Sequence, residues 1–323
     1  MESCSLKTFQ PTFDSKHARI YTAAQAQRLS EFPQHSVWLQ TAQVENSRST
    51  AALRDDGLLI LRQFFDPVVL RDLGDQVDEK IRTLKDLNRI RHHRREIDEG
   101  CPLGDFRYLE TDQVVSEAFL EDQTSNVAIR DPLLNLRGLD KVILDERLIS
   151  LASAYHGCVP KLTFVKVFKS FANNLPDYDA QLFHADTGSY WILKALIYLN
   201  DVDSDGGPFT AAIGSQKLRF RLGFRNEEYK LRYSNEEVAE ACGEDAIYEC
   251  CGTLGDIALA ETTGFHKGKK PMARARRVII ANYCVHDEIG FDYNPINIGQ
   301  TAYDNLSPMQ KAAAQHLKRV PDR

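Results

Sequence analysis

Short apolar runs alternate with polar turns along the second half of the chain. From Leu162 onward, stretches rich in Gly, Pro, Asn and Asp separate runs that are too short for ordinary helices. The strands predicted from these runs are Leu162–Phe168, Leu182–Asp186, Lys194–Leu199, Phe209–Ile213, Ile257–Ala260 and Arg277–Cys284. Many short strands with turn residues between them indicate an antiparallel sandwich or barrel. The sequence therefore predicts a mainly β fold.

One strong helical pattern precedes these strands. Leu58–Phe65 is predicted as a strand, after which Asp66 supplies a helix N-cap and Pro67 occupies the first turn. The helix is predicted to extend to about Leu87. Its apolar residues recur at helical spacing: Val69, Leu70, Leu73, Val77 and Ile81. We expect this apolar side to pack against the β core, which makes the fold mainly β with flanking helices.

A chain of 323 residues is long enough for one large domain with appendages. We assign residues 1–50 to an N-terminal extension that packs on the core and contains a short helix at residues 23–29. Residues 51–300 are predicted to form the core domain, and residues 301–323 a C-terminal helix. The strand pattern breaks at residues 216–249, and this charged insertion is compatible with either a lid over the substrate or an exposed excursion.

Composition and charge restrict the classes of function. A net charge of −6 and a pI of about 5.9 give no general attraction to nucleic acid or to an anionic membrane. The first residues lack the apolar stretch of a signal peptide, and no apolar run is long enough to span a bilayer. Seven cysteines without regular spacing indicate reduced thiols, and the adjacent Cys250 and Cys251 are expected to serve packing. These features predict a cytoplasmic protein with a small-molecule substrate.

Two histidine-x-acid triplets are candidates for metal binding, one at His184-Ala185-Asp186 and one beginning at His286. Side chains two residues apart in a strand point to the same side, so His184 and Asp186 are positioned to bind one ion. His184 follows a plausible strand and precedes an apolar one, whereas His286 lies where a strand gives way to turn residues. The context favours the first triplet and indicates a loop at the second.

A third metal ligand has to come from elsewhere in the fold. The best candidate is His266, which lies 80 residues beyond Asp186 in a glycine-flanked segment. Two neutral imidazoles and one carboxylate leave adjacent positions open on an octahedral ion, which suits non-haem Fe(II) that binds a chelating co-substrate and dioxygen. The adjacent His92 and His93 belong to a basic run, for which a solvated loop or helix face is the favoured interpretation.

The residues after the first triplet read WILKALIYLNDVDSDGGPFTAAIGSQ, at positions 191–216. Further motifs follow in order at Gly255–Leu259, Gly264–Gly268 and Arg277–Tyr283. As a set, these motifs resemble the phytanoyl-CoA dioxygenase family of Fe(II)/2-oxoglutarate oxygenases over about residues 50–290. The Pro-Gly-Ser-His end of one family motif is replaced by Ile213–Gln216 here. The substrate of the family's namesake is therefore not carried over to this chain.

The resemblance implies a double-stranded β-helix of the jelly-roll kind, with Fe(II) bound by His184, Asp186 and His266. It also implies 2-oxoglutarate and O2 as co-substrates. In the family an arginine about eleven residues past the second histidine binds the far carboxylate of 2-oxoglutarate, and Arg277 has that position. Neighbouring Arg276 faces the other side of the strand and is assigned to the surface or an ion pair. One deletion in the preceding loop would exchange these two roles.

The activity implied by the resemblance is oxidation of an unactivated C–H bond in a small organic substrate, most simply hydroxylation. Lys194 and Tyr198 share one strand face and are candidates for binding co-substrate in the pocket or for structural contacts. Alternatives are a barrel that binds a metal or ligand without oxidation, and an oxygenase acting on a protein or lipid-linked substrate. Catalysis is favoured because the ligand set is complete, and Asp186 argues against a halogenase, which usually has a small residue there.

Overall fold

The computed structural model describes residues 23–28, 30–31, 46–88, 90–93, 106–109, 116–186, 191–218, 231–285 and 295–322. Its helices are α1 (Ser47–Asp56), α2 (Pro67–Arg82), α3 (Glu117–Gln123), α4 (Pro132–Asn135), α5 (Leu139–Ile143), α6 (Glu146–His156), α7 (Asn235–Cys242), α8 (Gln300–Asp304) and α9 (Pro308–Ala313). Its first strands are β1 (Leu58–Leu61), β2 (Ile90–His93), β3 (Phe106–Leu109), β4 (Asn126–Ala128), β5 (Lys161–Ser170) and β6 (Leu193–Tyr198). The later strands are β7 (Phe209–Ala212), β8 (Ile247–Glu249), β9 (Ile257–Glu261), β10 (His266–Gly268), β11 (Arg276–Cys284), β12 (Asn297–Gly299) and β13 (Lys318–Val320).

Two antiparallel sheets form the centre of the molecule. The major sheet has six strands in the order β1-β9-β6-β11-β5-β4, and the minor sheet has three in the order β10-β7-β8. Two further pairs, β2 with β3 and β12 with β13, lie outside these sheets. The mainly β fold with flanking helices, predicted from the short strands, is confirmed.

The alternation of side chains along β11 gives the major sheet two apolar faces. Ile279 and Ala281 belong to a buried cluster that includes Leu73 and Val77 of α2, so this face packs against helices. Val278, one residue along, belongs to a second cluster that includes Phe209 of the minor sheet. Because successive residues of a strand face opposite sides, one strand contributes to both layers. The second face carries the candidate site.

Helix α2 is shorter than its sequence pattern predicts. The Asp66 carboxylate accepts a hydrogen bond from the backbone N–H of Val68 at 2.8 Å, which confirms the predicted N-cap. The helix ends at Arg82 and does not reach Leu87, because Leu84 adopts a positive φ of 53° that a right-handed helix does not allow. Val69 is 44% exposed. The other predicted apolar residues are buried: Leu70, Leu73, Val77 and Ile81.

The described parts of the two terminal regions contact each other. Residues 23–28 are helical, and the buried Arg28 donates to the backbone carbonyls of Val159 at 3.0 and 3.1 Å and of Ala312 at 2.9 Å. The C-terminal region, predicted as one helix, contains α8, α9 and then β13. A new helix begins because Ser307 caps α9 through its side chain and Pro308 starts the first turn. Within the described ranges, none of the helices combines the length and hydropathy that crossing a membrane requires.

Candidate metal centre and its cavity

Two predicted ligands lie opposite each other on paired backbone segments. His184, which follows a 3-10 turn at Asp179–Gln181, forms a β-bridge with His266, the first residue of β10. Each residue donates its backbone N–H to the carbonyl of the other at 2.9 Å. The Asp186 N–H donates to the carbonyl of Thr262 at 2.8 Å. These backbone contacts fix three side chains from two distant parts of the chain around one point.

The three side chains converge with metal-ligand spacing. Asp186 Oδ1 lies 3.8 Å from His184 Nε2, and Asp186 Oδ2 lies 3.7 Å from His266 Nε2. The two imidazole ring centres are 4.3 Å apart. One ligand atom from each of the three residues lies within 4.8 Å of the others, close enough for a single ion to bind all three. The structure thus brings together His184, Asp186 and His266.

Both imidazoles are oriented by carbonyl groups two residues earlier in the chain. His184 Nδ1 lies 3.0 Å from the carbonyl oxygen of Leu182, and His266 Nδ1 lies 3.0 Å from that of Gly264. A proton on Nδ1 satisfies each contact and leaves a lone pair on Nε2, the arrangement found in metal-binding histidines. His266 Nε2 is buried and has no hydrogen-bond partner among the described residues. A metal ion bound there would satisfy this atom, so the donor set fits the predicted metal.

The electrostatics of the centre favour a charged carboxylate and neutral imidazoles. Burial opposes the charged form of Asp186, but the charge of Lys194, whose Nζ lies 2.7 Å from Oδ2, lowers the pKa of this carboxyl well below its usual range. Burial lowers the pKa of His184, and it lowers the pKa of His266 further. Deprotonated carboxylate and neutral imidazole are the forms that coordinate a metal.

A cavity of about 470 Å³ opens beside these ligands, between the major sheet and the ligand-bearing segments. Its floor consists of cross-strand rows on one face of the major sheet. Counted along β11 from its first residue, these four rows are Arg276 with Ser170, Val278 with Phe168 and Tyr198, Ile280 with Lys166 and Leu196, and Asn282 with Phe164 and Lys194. Directly paired residues share a face, so the residues of each row lie side by side. All of them except Asn282 line the cavity.

The two neighbouring arginines of β11 face opposite sides of the sheet, in the reverse of the arrangement expected from sequence spacing. Arg276 lines the cavity, whereas Arg277, which was predicted to face it, donates from Nη1 to Asp78 of α2 at 2.5 Å on the helix-covered side. The strand begins at Arg276, which pairs with Ser170 and shares a face with Val278. A count of eleven residues from His266 therefore gives Arg277, whereas the residue that faces the cavity is Arg276, one position earlier.

Arg276 is a buried cation with no anionic partner in the part of the chain that the structure describes. Its guanidinium contacts the carbonyl of Gly207, and Nη2 lies 3.4 Å from Ser170 Oγ, but no carboxylate of the described residues pairs with it. Its Nε is buried without a hydrogen-bond partner in the described structure. Burial lowers the pKa of this guanidinium, because removal from water disfavours its charged form. A bound anion in the cavity would offset that cost.

The other two predicted pocket residues both line the cavity but make different contacts. Lys194 Nζ lies 2.7 Å from Asp186 Oδ2 and donates a hydrogen bond to it. The Tyr198 hydroxyl donates to the carbonyl of Cys250 at 2.8 Å and accepts from the backbone N–H of Phe209 at 3.0 Å. Tyr198 therefore joins the two sheets, whereas Lys194 is part of the metal centre.

The remaining sequence candidates do not join this site in the described structure. His286 and the rest of its triplet lie outside the described residues, as do the side chains of His92 and His93 in β2. Cys250 is a buried free thiol whose pKa burial raises to about 12, and Cys251 is a half-buried free thiol. The expected packing role of the cysteine pair agrees with these positions.

The insertion at residues 216–249 contributes to the cavity wall, although residues 219–230 lie outside the described part. Tyr233 donates its backbone N–H to the carbonyl of Phe183 at 2.8 Å, and its ring packs against Phe265 at a centroid distance of 4.9 Å. Arg232 forms an ion pair with Asp179 and lines the cavity. Phe183 and Phe265 each precede a histidine ligand, so the insertion packs directly behind the metal centre.

Sequence reasoning missed Lys166, Arg232 and Asp179 as residues of the cavity wall. The signal for Lys166 is present in the sequence, because it alternates with Phe164 and Phe168 in a predicted strand and must share their face. No local pattern marks Arg232 or Asp179, which meet only because the insertion folds back on the 3-10 turn.

The segment Ile213–Gln216 has a structural role beside the histidine and aspartate side chains of the site. Ser215 Oγ accepts a hydrogen bond from the backbone N–H of Phe265 at 2.8 Å, immediately before His266. Gln216 Nε2 donates to the carbonyls of Arg54 and Asp55 at 3.3 Å each. Ser215 and Gln216 thus attach this turn to both the His266 segment and α1.

The chain has the double-stranded β-helix fold. Among solved structures it is similar to the non-heme alpha ketoglutarate dependent epimerase SnoN from nogalamycin biosynthesis, with 15% identity, a TM-score of 0.54, and coverage of 78% of this chain and 92% of that chain. The structure of SnoN in complex with Fe3+, alpha ketoglutarate and nogalamycin RO matches with 16% identity, a TM-score of 0.51, and coverage of 78% and 93%. EctD from S. alaskensis in its apoform matches with 16% identity, a TM-score of 0.50, and coverage of 86% and 88%. No family model matches the chain, and a search of curated proteins finds no relative.

Proposed function

We propose that the protein is an Fe(II)/2-oxoglutarate-dependent oxygenase that oxidises, most simply hydroxylates, an unactivated C–H bond of a small organic substrate. The observation that carries this proposal is the presence, in one cavity, of a His-Asp-His ligand set and a buried arginine that no carboxylate of the described ranges pairs with. The similarity to SnoN, whose structure contains Fe3+ and alpha ketoglutarate, agrees with it.

The ligands proposed for the metal are His184 Nε2, His266 Nε2 and one oxygen of Asp186. Three protein ligands leave positions for a chelating keto acid and for O2, which is the requirement of this class of non-haem iron enzyme. When bound, Fe(II) with 2-oxoglutarate and O2 supplies an oxidant that removes hydrogen from an unactivated C–H bond, and succinate and CO2 are released.

Arg276 is the residue proposed to bind the far carboxylate of 2-oxoglutarate. It lies in the first cross-strand row of the cavity floor, and Lys194, beside the metal ligands, lies in the fourth. Gly268, which lines the cavity two residues after His266 in β10, lies next to Arg276 Nη2. Two residues of a strand span about 7 Å, so the guanidinium lies within reach of a co-substrate bound at the metal ligands. A guanidinium binds a carboxylate through two parallel hydrogen bonds, which fixes the orientation of the co-substrate.

Asp186 also bears on the type of oxidation. A carboxylate ligand occupies the coordination position that a halide would need, so hydroxylation, or a desaturation or ring closure that starts with the same hydrogen abstraction, is proposed over halogenation. The apolar side chains that line the cavity, including Phe164, Phe168 and Val278, limit access of water to the reacting centre.

The experiment that tests this proposal needs no substrate. Purified protein supplied with Fe(II), ascorbate and 2-oxoglutarate is expected to release succinate slowly in air and none without oxygen. Asp186→Ala is expected to abolish the reaction, and the exposed Glu240→Ala serves as the matched acid-to-alanine control. Binding is followed in parallel by the change in the absorption spectrum when 2-oxoglutarate is added to the Fe(II) protein under anaerobic conditions.

One result would replace this proposal with the alternative of a metal-binding barrel that does no oxidation. That result is tight binding of iron by the wild-type protein without any spectral response to 2-oxoglutarate and without its consumption, even when candidate substrates are present. An oxygenase acting on a protein or lipid-linked substrate would give the same succinate release, and it is distinguished by which substrates accelerate the reaction.

A further inference from the structure

The wall of the cavity carries more cationic than acidic side chains. Among the described residues that line it, the cations are Lys166, Lys194, Arg232 and Arg276, and the acids are Asp179 and Asp186. The described wall therefore has a net positive charge before any metal is added.

Only part of this charge is balanced within the wall. Asp179 forms an ion pair with Arg232, whose side chain is 17% exposed. Asp186 forms an ion pair with Lys194, whose side chain is 13% exposed. Arg276 has no carboxylate partner among the described residues. Each acid is thus already committed to one cation, and Arg276 remains in excess.

The proposed cofactors increase this excess. A divalent metal ion shares the Asp186 carboxylate with Lys194, and 2-oxoglutarate brings two negative charges of its own. The ion, Arg276 and Lys194 together exceed the charge of the co-substrate and Asp186 by one, even when Lys166 is left out of the count. Burial of an uncompensated charge is strongly unfavourable. None of the described residues that line the cavity supplies a further carboxylate to offset this charge, and an anionic primary substrate would supply one.

The position of the lysines indicates where such an anion binds. Lys194 and Lys166 lie in adjacent rows on the same face of the major sheet, with β11 between their strands. Two strand spacings of about 4.8 Å and two residues of about 3.4 Å separate their backbones by roughly 12 Å. Lysine side chains are long and flexible enough to approach one group between such positions. A single anionic group can therefore contact both.

The surroundings of the lysines are apolar. Phe164 and Phe168 lie on either side of Lys166 along the same face of β5, and Lys166 Nζ is 5.0 Å from the centre of the Phe168 ring. Ile280 and Leu196 complete the row that contains Lys166. A molecule with its charged end at the lysines would place its hydrocarbon part on this floor, next to the metal ligands.

We propose that the primary substrate is a compact organic acid with an apolar body, whose carboxylate is bound by Lys194 and Lys166. This inference rests on the proposed oxygenase function and specifies its substrate class. A volume of about 470 Å³ is near the lower end of the range for small-molecule sites, and 2-oxoglutarate occupies part of it. The remaining space favours a free acid over a substrate attached to a large carrier.

The test uses protein loaded with Ni(II) and 2-oxoglutarate, in which bound compounds are not turned over. The probes are hexanoate, cyclohexanecarboxylate and 3-phenylpropionate, each compared with its neutral primary amide and with the phosphate monoester of the corresponding alcohol. Thermal shift and isothermal titration are expected to show at least tenfold tighter binding of one or more acids than of the matched amides. Tightest binding of a phosphate ester, equal binding of amides, or no binding by any acid would each overturn the assignment.

Lysine variants then test which side chains bind the carboxylate of the acid. Lys194→Gln and Lys166→Gln are each expected to weaken binding of the best acid roughly ten- to hundredfold, as for loss of one charge-assisted hydrogen bond. The exposed Lys217→Gln is the matched control and is expected to bind the acid like wild type. If Lys194→Gln weakens 2-oxoglutarate and leaves the acid unaffected, Lys194 serves the co-substrate and the inference is wrong.

Failure of this inference is distinguishable from failure of the proposed function. Binding of Ni(II) and then of 2-oxoglutarate is measured for every variant before the probes are added. A wild-type protein that does not bind 2-oxoglutarate contradicts the oxygenase proposal itself. A protein that binds 2-oxoglutarate but prefers neutral probes contradicts only the acidic substrate.

Discussion

His184 and His266 form a backbone pair in which each N–H donates to the carbonyl of the other at 2.9 Å. The pairing places the two imidazoles side by side, with 4.3 Å between ring centres, before any metal binds. The carbonyls of Leu182 and Gly264 orient the rings further through contacts with Nδ1. The scaffold, and not the ion, therefore determines the geometry of the ligand set.

Replacement of any one proposed ligand is expected to remove most of the metal affinity. His184→Ala, Asp186→Ala and His266→Ala each delete one of three donors, and we expect anaerobic Fe(II) titration to show at least a hundredfold loss, about 2.7 kcal/mol or more. Circular dichroism should remain that of the wild type, because the His184–His266 pairing uses backbone atoms. Glu240→Ala is the control, and wild-type Fe(II) affinity in His266→Ala would exclude that residue from the site.

Substitutions of Arg276 and Arg277 are expected to have different effects on the affinity for 2-oxoglutarate. Arg276→Gln removes the cation that faces the cavity and should weaken 2-oxoglutarate binding by about 1.5–3 kcal/mol. Arg277→Gln removes an ion pair with Asp78 on the other face and should leave that affinity unchanged. Isothermal titration of the two metal-loaded variants decides between them. Greater sensitivity of Arg277 would restore the assignment made from sequence spacing and contradict the one made from the cavity.

Asp256, part of one of the sequence motifs, is expected to matter for stability and not for metal binding. Its buried carboxylate accepts from the backbone N–H groups of Gln63 at 2.8 Å and Thr253 at 2.9 Å, and from Arg62 at 2.8 Å. Asp256→Ala leaves these donors without their acceptor, so we expect a loss of about 3 kcal/mol in the free energy of unfolding. Chemical denaturation measures it, with exposed Asp205→Ala as control. A change below about 0.5 kcal/mol would contradict this role.

His156 is expected to make folding sensitive to acid. Complete burial lowers its pKa from 6.5 to about 4, and its Nε2 lies 2.9 Å from the carbonyl of Tyr283. A histidine whose pKa is lower in the folded state contributes fully above pH 6.5, and that contribution declines as the pH falls toward 4, because the unfolded chain takes up the proton first. Between pH 7.5 and 4.5 the free energy of unfolding should fall by about 2–3 kcal/mol from this group alone.

The His156→Gln variant isolates this contribution, because glutamine retains an N–H donor for Tyr283 but does not titrate. The pH dependence of its unfolding free energy should be shallower than that of wild type by the same 2–3 kcal/mol. Other groups that titrate in this range cancel in the comparison. Parallel curves for the two proteins would show that His156 does not remain neutral in the folded state.

The sequence by itself determined the fold class and the local half of the metal site. Alternation between apolar and polar residues depends on the two-residue period of a strand, which is why short strands, and the shared face of His184 and Asp186, were predictable. The N-cap at Asp66 was predictable for the same kind of reason, since capping involves residues a few positions apart. Such properties depend on residues that are close together in the chain, so the sequence alone predicts them.

At the start of β11, where the chain leaves a loop, only the tertiary structure decided which residues face the cavity. Strand parity correctly placed Arg276 and Arg277 on opposite sides, but it did not determine which of the two faces the cavity. That depends on where β11 starts and on its pairing with Ser170, an interaction between segments more than a hundred residues apart. The pairing of Arg232 with Asp179 is likewise non-local. Strand register arises from packing and hydrogen bonding between distant segments, so residue spacing along the chain does not determine it.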